Sequence, residues 1–255
     1  MKNVLLIAGK EIKSYFASPI AYLLMAAFGL IFGFTFFVAS RDMIRIGLQS
    51  QMMGQAQPMN VNDAIIRPLL GFAGTITLFL IPMITMRLIA EEKRTGTIEL
   101  LLTSPVKDTE IILGKWLGGM LLFLCILAMS VINLAMLFIW SKPDLQPVLV
   151  AYLGLILQGG CLLAIGLFIS TMTRNQIIAG GVTFFVCLLL YLLNWFTAFD
   201  SGAVSQVISY LSIVTHLDNF SKGLLSLKDI VFYGSMIFLA LFLTSRSMES
   251  LRWRA

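Results

Sequence analysis

Residues 81–119, IPMITMRLIAEEKRTGTIELLLTSPVKDTEIILGKWLGG, join two long apolar segments through a dense run of charge. Arg87, Glu91, Glu92, Lys93, Arg94, Glu99, Lys107, Asp108, Glu110 and Lys115 all fall here, about a third of the chain's 18 Lys and Arg and 13 Asp and Glu. Charge gathered this densely needs water or a partner, whereas the flanks need an apolar medium. The stretch therefore predicts a loop held at the ends of two membrane spans, with docking as its use.

The rest of the composition agrees. The chain has 255 residues, of which 58% are hydrophobic and 12% charged, and its mean hydropathy is +0.91. A soluble domain carries about 25% charged residues, so an integral membrane protein is indicated. One helical span needs about 20 apolar residues, and six runs qualify: 19–39, 66–86, 113–140, 148–172, 177–199 and 230–244. They take up about half the chain and leave no room for a separate soluble domain. The runs are continuous rather than alternating, which predicts helices and not a barrel, hence an all-α fold. The first run is too long for a signal-peptide core and no small-residue cleavage site follows it, so it is expected to be retained.

Counting Lys and Arg sets the orientation. Six spans put both termini on one side with the 87–112 loop and Arg174. That side holds Lys2, Lys10, Lys13, Arg87, Lys93, Arg94, Lys107, Lys115, Arg174, Arg246, Arg252 and Arg254. The other has Arg41, Arg45, Arg67, Lys142, Lys222 and Lys228, half as many. Termini and loop are thus expected in the cytoplasm, in a cytoplasmic (inner) membrane. The asymmetry, facing anionic membrane lipids, accounts for the net charge of +5 and gives no support to nucleic-acid binding.

Three segments lie outside the spans. In 1–18, Val4, Leu5, Ala8, Ile12, Tyr15 and Phe16 recur at helical spacing, opposite Lys10, Lys13 and Ser14. This predicts a helix lying in the membrane interface, with Ser18 and Pro19 turning the chain into the first span. The 40–65 segment reads as a polar loop. Its Met43, Met52, Met53 and Met59 suit a soft ion such as Cu(I), but flexible packing is the better reading because no His or Cys accompanies them. Segment 200–229 is too polar to span, yet Val204, Val207, Ile208, Leu211, Ile213 and Val214 recur within it, which fits short helices dipping into the outer leaflet.

The six runs are expected to hold no Asp, Glu, Lys, Arg or His at depth, which speaks against an ion-coupled carrier or selective channel. Thr75, Thr77, Ser130, Asn133, Gln158, Thr183 and Asn194 read first as interhelical hydrogen-bonding groups. Gly29-xxx-Gly33 and Gly114-xxx-Gly118 permit close helix approach. Enzyme signatures are missing: Gly114-Lys115 lacks the remainder of a phosphate-binding loop. Cys125, Cys161 and Cys187 sit singly inside spans, as small core residues do. The only histidine, His216, reads as a surface or interfacial residue with no nucleophile beside it. No catalytic or metal site is expected.

Pro82-Met83-Ile84-Thr85-Met86-Arg87, Glu91 through Leu101, Thr103-Ser104-Pro105-Val106 and Gly114-Lys115-Trp116 closely resemble the loop of ABC-2 type transporter permeases. Within that group the chain is most similar to the branch that contains the gliding-motility permease and the permease of nitrous-oxide-reductase maturation. Lys10-Glu11 with Ser14 through Tyr22, and His216 through Tyr233, extend the resemblance over the whole chain.

The resemblance implies a permease subunit that couples ATP hydrolysis in a separate ATPase to export of a substrate, with no catalytic residue and no cofactor of its own. ATP and Mg²⁺ would belong to two partner ATPase subunits. Residues near 87–102 would form the coupling helix, with Glu91, Glu92, Lys93, Arg94 and Glu99 making charged contacts, Gly96 and Thr97 at the bend, and Ile98, Leu100, Leu101 and Leu102 as apolar anchors. A second permease, identical or related, would complete a pathway lined by spans one, two and five. An external accessory protein is compatible with the family. His216, Phe220 and Gly223 would belong to outer re-entrant helices that close the far side. Two other functions remain open: ATP-driven force transmission without a solute, and an ATP-independent channel or carrier. The substrate is not implied, because fold and coupling are shared among many cargoes.

Overall fold

The computed structural model describes residues 2–53, 60–99, 106–141, 143–196, 202, 208 and 210–252. Its helices are α1 (Lys2–Ala17), α2 (Pro19–Met52), α3 (Arg67–Thr85), α4 (Ala90–Thr95), α5 (Asp108–Trp140), α6 (Leu145–Met172), α7 (Gln176–Phe196), α8 (Ile213–Ser221) and α9 (Leu227–Arg252), with a π-helical turn, Asn62–Ile66, leading into α3. No strand occurs among the described residues. Six segments are long and apolar enough to cross a membrane: Pro19–Met52, Asn62–Thr95, Asp108–Trp140, Leu145–Met172, Gln176–Trp195 and Leu227–Ser250. The all-α expectation and its six spans hold.

Local chemistry explains where these helices begin. Ser18 caps α2, its hydroxyl accepting from the Ile20 N–H at 3.4 Å, and Pro19 follows at the first helical position, where its missing N–H costs nothing. Asp108 and Glu110 sit in the first turn of α5, where carboxylates suit the helix dipole. One expectation is overturned. Segment 40–65 is not a loop as far as Met52, because α2 continues through Arg41, Asp42 and Met43. Residues 40–52 contain no proline, and a lone Gly47 costs only about 1 kcal/mol, too little to stop a helix under way.

α6 is the hub, packing against α3, α5, α7, α8 and α9. Side chains from three neighbours seat on its glycines: Phe123 of α5 on Gly159, Thr85 of α3 on Gly166 and Phe220 of α8 on Gly154. The buried faces of α3 and α6 form the middle of the bundle, while α2 and α7 leave most of their apolar surface outward. Most of the mid-span polar groups act as expected. Thr75 and Tyr191 hydroxyls meet at 3.2 Å, Ser130 and Tyr152 at 2.7 Å, and Thr215 donates to Asn194 at 3.3 Å. Thr77 and Thr183 instead bond back to their own helices. Cys161 and Cys187 are buried and Cys125 half-buried.

Candidate functional site

At the end of the bundle that holds both termini, α1 lies along the first turns of α5. A Cβ on Gly114 would stand 2.7 Å from Ile7 Cβ, and one on Gly118 would stand 2.6 Å from Glu11 Cβ. The Gly114-xxx-Gly118 spacing is therefore the seat of α1. Val4, Ile7, Ala8 and Glu11 form the stripe that faces it.

Glu11 is the one charged member of that stripe, and its partner explains it. The Lys115 ammonium lies 2.7 Å from Glu11 Oε1 and 2.8 Å from Glu92 Oε1. Lys115 is only 1% exposed. Three separate elements, α1, α4 and α5, thus meet on one buried cation. This corrects the expectation that the six runs hold no ionisable side chain, to which Arg67, one residue into the second run, is a further exception. Lys115 is two residues into the third run, at a depth where a single charge needs its two counter-ions.

α3 passes its direction to α4 through a tight turn. The Tyr15 hydroxyl donates to the Ile84 carbonyl at 2.8 Å. Burial, aided by the negative charge of Glu11, holds this phenol far above its ordinary value, so it remains a donor. The Arg87 guanidinium forks onto Glu91 at 2.8 and 3.2 Å and donates to the Ser18 hydroxyl at 3.3 Å. Ser170, at the end of α6, accepts from the N–H groups of Ile89 and Ala90 at 3.2 and 3.0 Å. Those are donors that the start of α4 would otherwise leave unpaired. The Lys93 ammonium donates to the Thr171 carbonyl, and the Thr171 hydroxyl meets that of Ser247 on α9 at 2.7 Å.

Beyond these braces the chain turns outward. Arg94, Thr95, Gly96, Thr97 and Glu99 are exposed, and Ile98 is half-buried against the core. Gly96 ends α4 with φ +75°, and no atom lies within 4 Å of a Cβ placed on it. Glycine is needed here for backbone conformation and not for space within the chain. The coupling candidates therefore fall into two sets: Glu91, Glu92 and Lys93 face inward as braces, while Arg94 to Glu99 form a projecting elbow. Leu100, Leu101 and Leu102 lie outside the described residues.

The other candidates are placed as follows. On α1, Lys10 and Lys13 are exposed, Tyr15 is buried and Phe16 half-buried, the Phe16 ring meeting Tyr22 edge-on at 5.7 Å. At the opposite end of the bundle, Phe220 is fully buried against α6. Gly223 has φ +74°, and a Cβ there would meet Pro147 at 3.0 Å. His216 is not a surface residue as expected: it is 2% exposed. Its ring stacks on Phe232 at 3.9 Å, Nδ1 lies 2.5 Å from Asp229 Oδ1, and Nε2 lies 2.9 Å from the Tyr210 carbonyl. A carbonyl can only accept, so Nε2 carries a proton. Val204 and Val207 lie outside the described residues.

Sequence reasoning missed Glu11, Lys115 and Ser170 as partners, and the ion pair of Arg67 with Asp218 at 3.1 Å. The available signal was a lone carboxylate on the apolar stripe of α1 and a lysine beside a helix-packing glycine. Among the described residues no group of three His, Cys, Asp or Glu is placed to hold a metal ion. The arrangement ties the elbow, through α4, to α1, α5 and α6. A family model described as ABC-2 family transporter protein matches residues 5–244. No curated protein matches the chain.

Proposed function

The chain belongs to the ABC-2 transporter family, which makes it the membrane component of an ABC transporter, and from that premise we propose that it couples ATP hydrolysis in a separate ATPase subunit to export across the cytoplasmic membrane. The observation that carries the coupling is the elbow at Gly96. It projects with open space around it, yet is backed by Ser170 and by the Lys115 cluster. A docking element must be both accessible and stiff, because a compliant one would absorb movement. Arg94, Thr97 and Glu99 then face the ATPase, while Glu91 and Glu92 carry its displacement to Arg87 and Lys115.

In this reading both termini and the elbow are cytoplasmic, as the Lys and Arg distribution favours. ATP and Mg²⁺ bind the two ATPase subunits, and hydrolysis is theirs. A second permease, the same or related, faces α2, α3 and α7 across a pathway between the two. These helices are contiguous and expose an apolar strip on α3 in which Phe72, Phe79 and Met83 are 40%, 57% and 39% exposed. α8 closes the far end. The sequence likeness to the gliding-motility and nitrous-oxide-reductase-maturation branch makes an external accessory protein part of the proposal.

The test is purification of the tagged chain from native membranes in mild detergent, with mass spectrometry of what accompanies it. A nucleotide-binding subunit that co-purifies, and is lost with Gly96→Trp or with Arg94→Glu and Glu99→Lys together, is the expected result. A chain that runs alone in every mild detergent, or a Gly96→Trp variant with unaltered ATPase coupling, overturns it.

A further inference from the structure

A cavity of about 540 Å³ lies between α3, α6, α7 and α8, at the end of the bundle opposite the termini. That volume lies in the range of small-molecule sites. Its base is polar: the Thr75 and Tyr191 hydroxyls meet there, and Gln158 enters from α6. Gln158 is 1% exposed. Its Nε2 donates to the Gly74 carbonyl at 3.3 Å, while its Oε1 is buried with no hydrogen-bond partner among the described residues. A buried acceptor of this kind is costly unless a donor reaches it. Gly74 lets Leu217 and Gln158 close in on α3, since a Cβ there would stand 2.9 Å from that oxygen and nearer still to Leu217.

The mouth carries charge without a net sign. Asp218 lies 3.1 Å from Arg67 and 2.5 Å from Lys222, and Asp63 also lines the cavity. Two acids and two bases give no field that selects an anion or a cation. On its open side the cavity reaches Phe72, the first member of the exposed strip that continues through Phe79 and Met83 down α3. Steps of seven and four residues keep the three on one helix face.

We propose that this cavity binds the uncharged, hydroxyl-bearing head of an amphiphile whose hydrocarbon tail lies along Phe72, Phe79 and Met83. The head supplies an O–H donor to Gln158 Oε1 and exchanges hydrogen bonds with Thr75 and Tyr191, while its carbon faces pack on Phe72 and Leu217. Polar heads with a net charge are disfavoured because the acids and bases at the mouth balance. To call this amphiphile cargo rests on the transporter reading above; the binding itself does not.

The experiment uses the full chain in phosphatidylcholine nanodiscs with radiolabelled dodecyl maltoside as the probe and empty nanodiscs as the blank. Saturable binding above the blank is expected, displaced by octyl glucoside but not by equal amounts of dodecyl sulfate or dodecyltrimethylammonium. Gln158→Leu should weaken it roughly tenfold, the value of one buried hydrogen bond. Tyr191→Phe removes a single oxygen, leaves the fold intact, and should weaken binding severalfold. Phe238→Ala, on the outward face of α9, should change nothing. Binding no greater than the blank, equal displacement by the charged detergents, or full affinity in both Gln158→Leu and Tyr191→Phe overturns the proposal. A chain that binds the maltoside but never its ATPase loses the transporter reading and keeps the site. One that holds its ATPase without saturable binding loses the site alone.

Discussion

Replacing Lys115 by methionine tests the buried cluster most directly. Lys115 has 2% of its side chain exposed, and its partners Glu11 and Glu92 have 13% and 16%. Removing one member of a buried pair costs about 3–5 kcal/mol, because the remaining charge stays desolvated. Here two carboxylates lose their cation, but each keeps a little contact with solvent. The lower figure applies, about 3 kcal/mol, or roughly 150-fold in the unfolding equilibrium. Glu92→Gln alone leaves the Lys115 to Glu11 contact at 2.7 Å in place and should cost about 1 kcal/mol, one ordinary hydrogen bond. Adding Glu11→Gln and Glu92→Gln to Lys115→Met removes the stranded charges, so the triple variant should regain at least half of the loss. The assay is equilibrium unfolding in mixed dodecyl maltoside and SDS micelles, followed by circular dichroism, over the full double-mutant cycle. A Lys115→Met protein within 0.5 kcal/mol of the parent (order of magnitude as in), or strictly additive effects of Lys115→Met and Glu92→Gln, would refute the reasoning.

Three further outcomes are expected. Gly96→Ala should cost about 1 kcal/mol through its φ of +75° alone, whereas Gly223→Ala should cost more, because its Cβ would also press on Pro147; unfolding midpoints that rank the two the other way would contradict this. Ser170→Ala strands the N–H groups of Ile89 and Ala90, a loss of about 1–3 kcal/mol, and limited trypsin digestion should cut faster after Lys93 or Arg94, with unchanged digestion counting against the brace. At Asp218, burial works against the charge, but the Lys222 and Arg67 cations outweigh it and hold the carboxyl below the ordinary aspartate value. The native chain thus takes up that proton less readily than the unfolded one. Its stabilisation is complete above pH of about 4 and is lost as pH falls from there through the lower native value. Asp218→Asn should flatten the acid limb of the thermal midpoint below that pH, and an identical limb would remove Asp218 from the account.

The spans were legible because a membrane helix must be apolar over its whole length, so the six runs needed no tertiary knowledge. Ser18 with Pro19 and the Gly114 and Gly118 pair were legible for a similar reason, since capping and close approach are local requirements of the backbone. The end of α2 was misread because polarity was taken for irregularity. Arg41, Asp42 and Arg45 are polar but do not break a helix, and Ile44, Ile46 and Leu48 ride outward on the same turns. Lys115 and His216 were misjudged for a different reason: whether an ionisable side chain is buried depends on what arrives from elsewhere. Glu11 comes from 104 residues away and Asp229 from 13. The elbow split in the same way. Gly96 carries its own signal, but which of Glu91, Glu92, Arg94 and Glu99 face inward is decided by Arg87, Lys115 and Ser170.

The seat of α1 on Gly114 and Gly118 also sets an order of events during synthesis. The first helix leaves the ribosome with Ile7 and Glu11 finished but their counterparts unmade. At about 5–20 residues per second, the intervening 104 positions take roughly 5–20 s to appear. Throughout that interval the helix lacks both its glycine groove and the Lys115 cation, although Tyr15 can already reach Ile84, and its Leu5 and Leu6 are exposed. The start of the third span is thus the moment at which α1 acquires its seat, and a nascent protein arrested before Gly114 would hold that helix away from it.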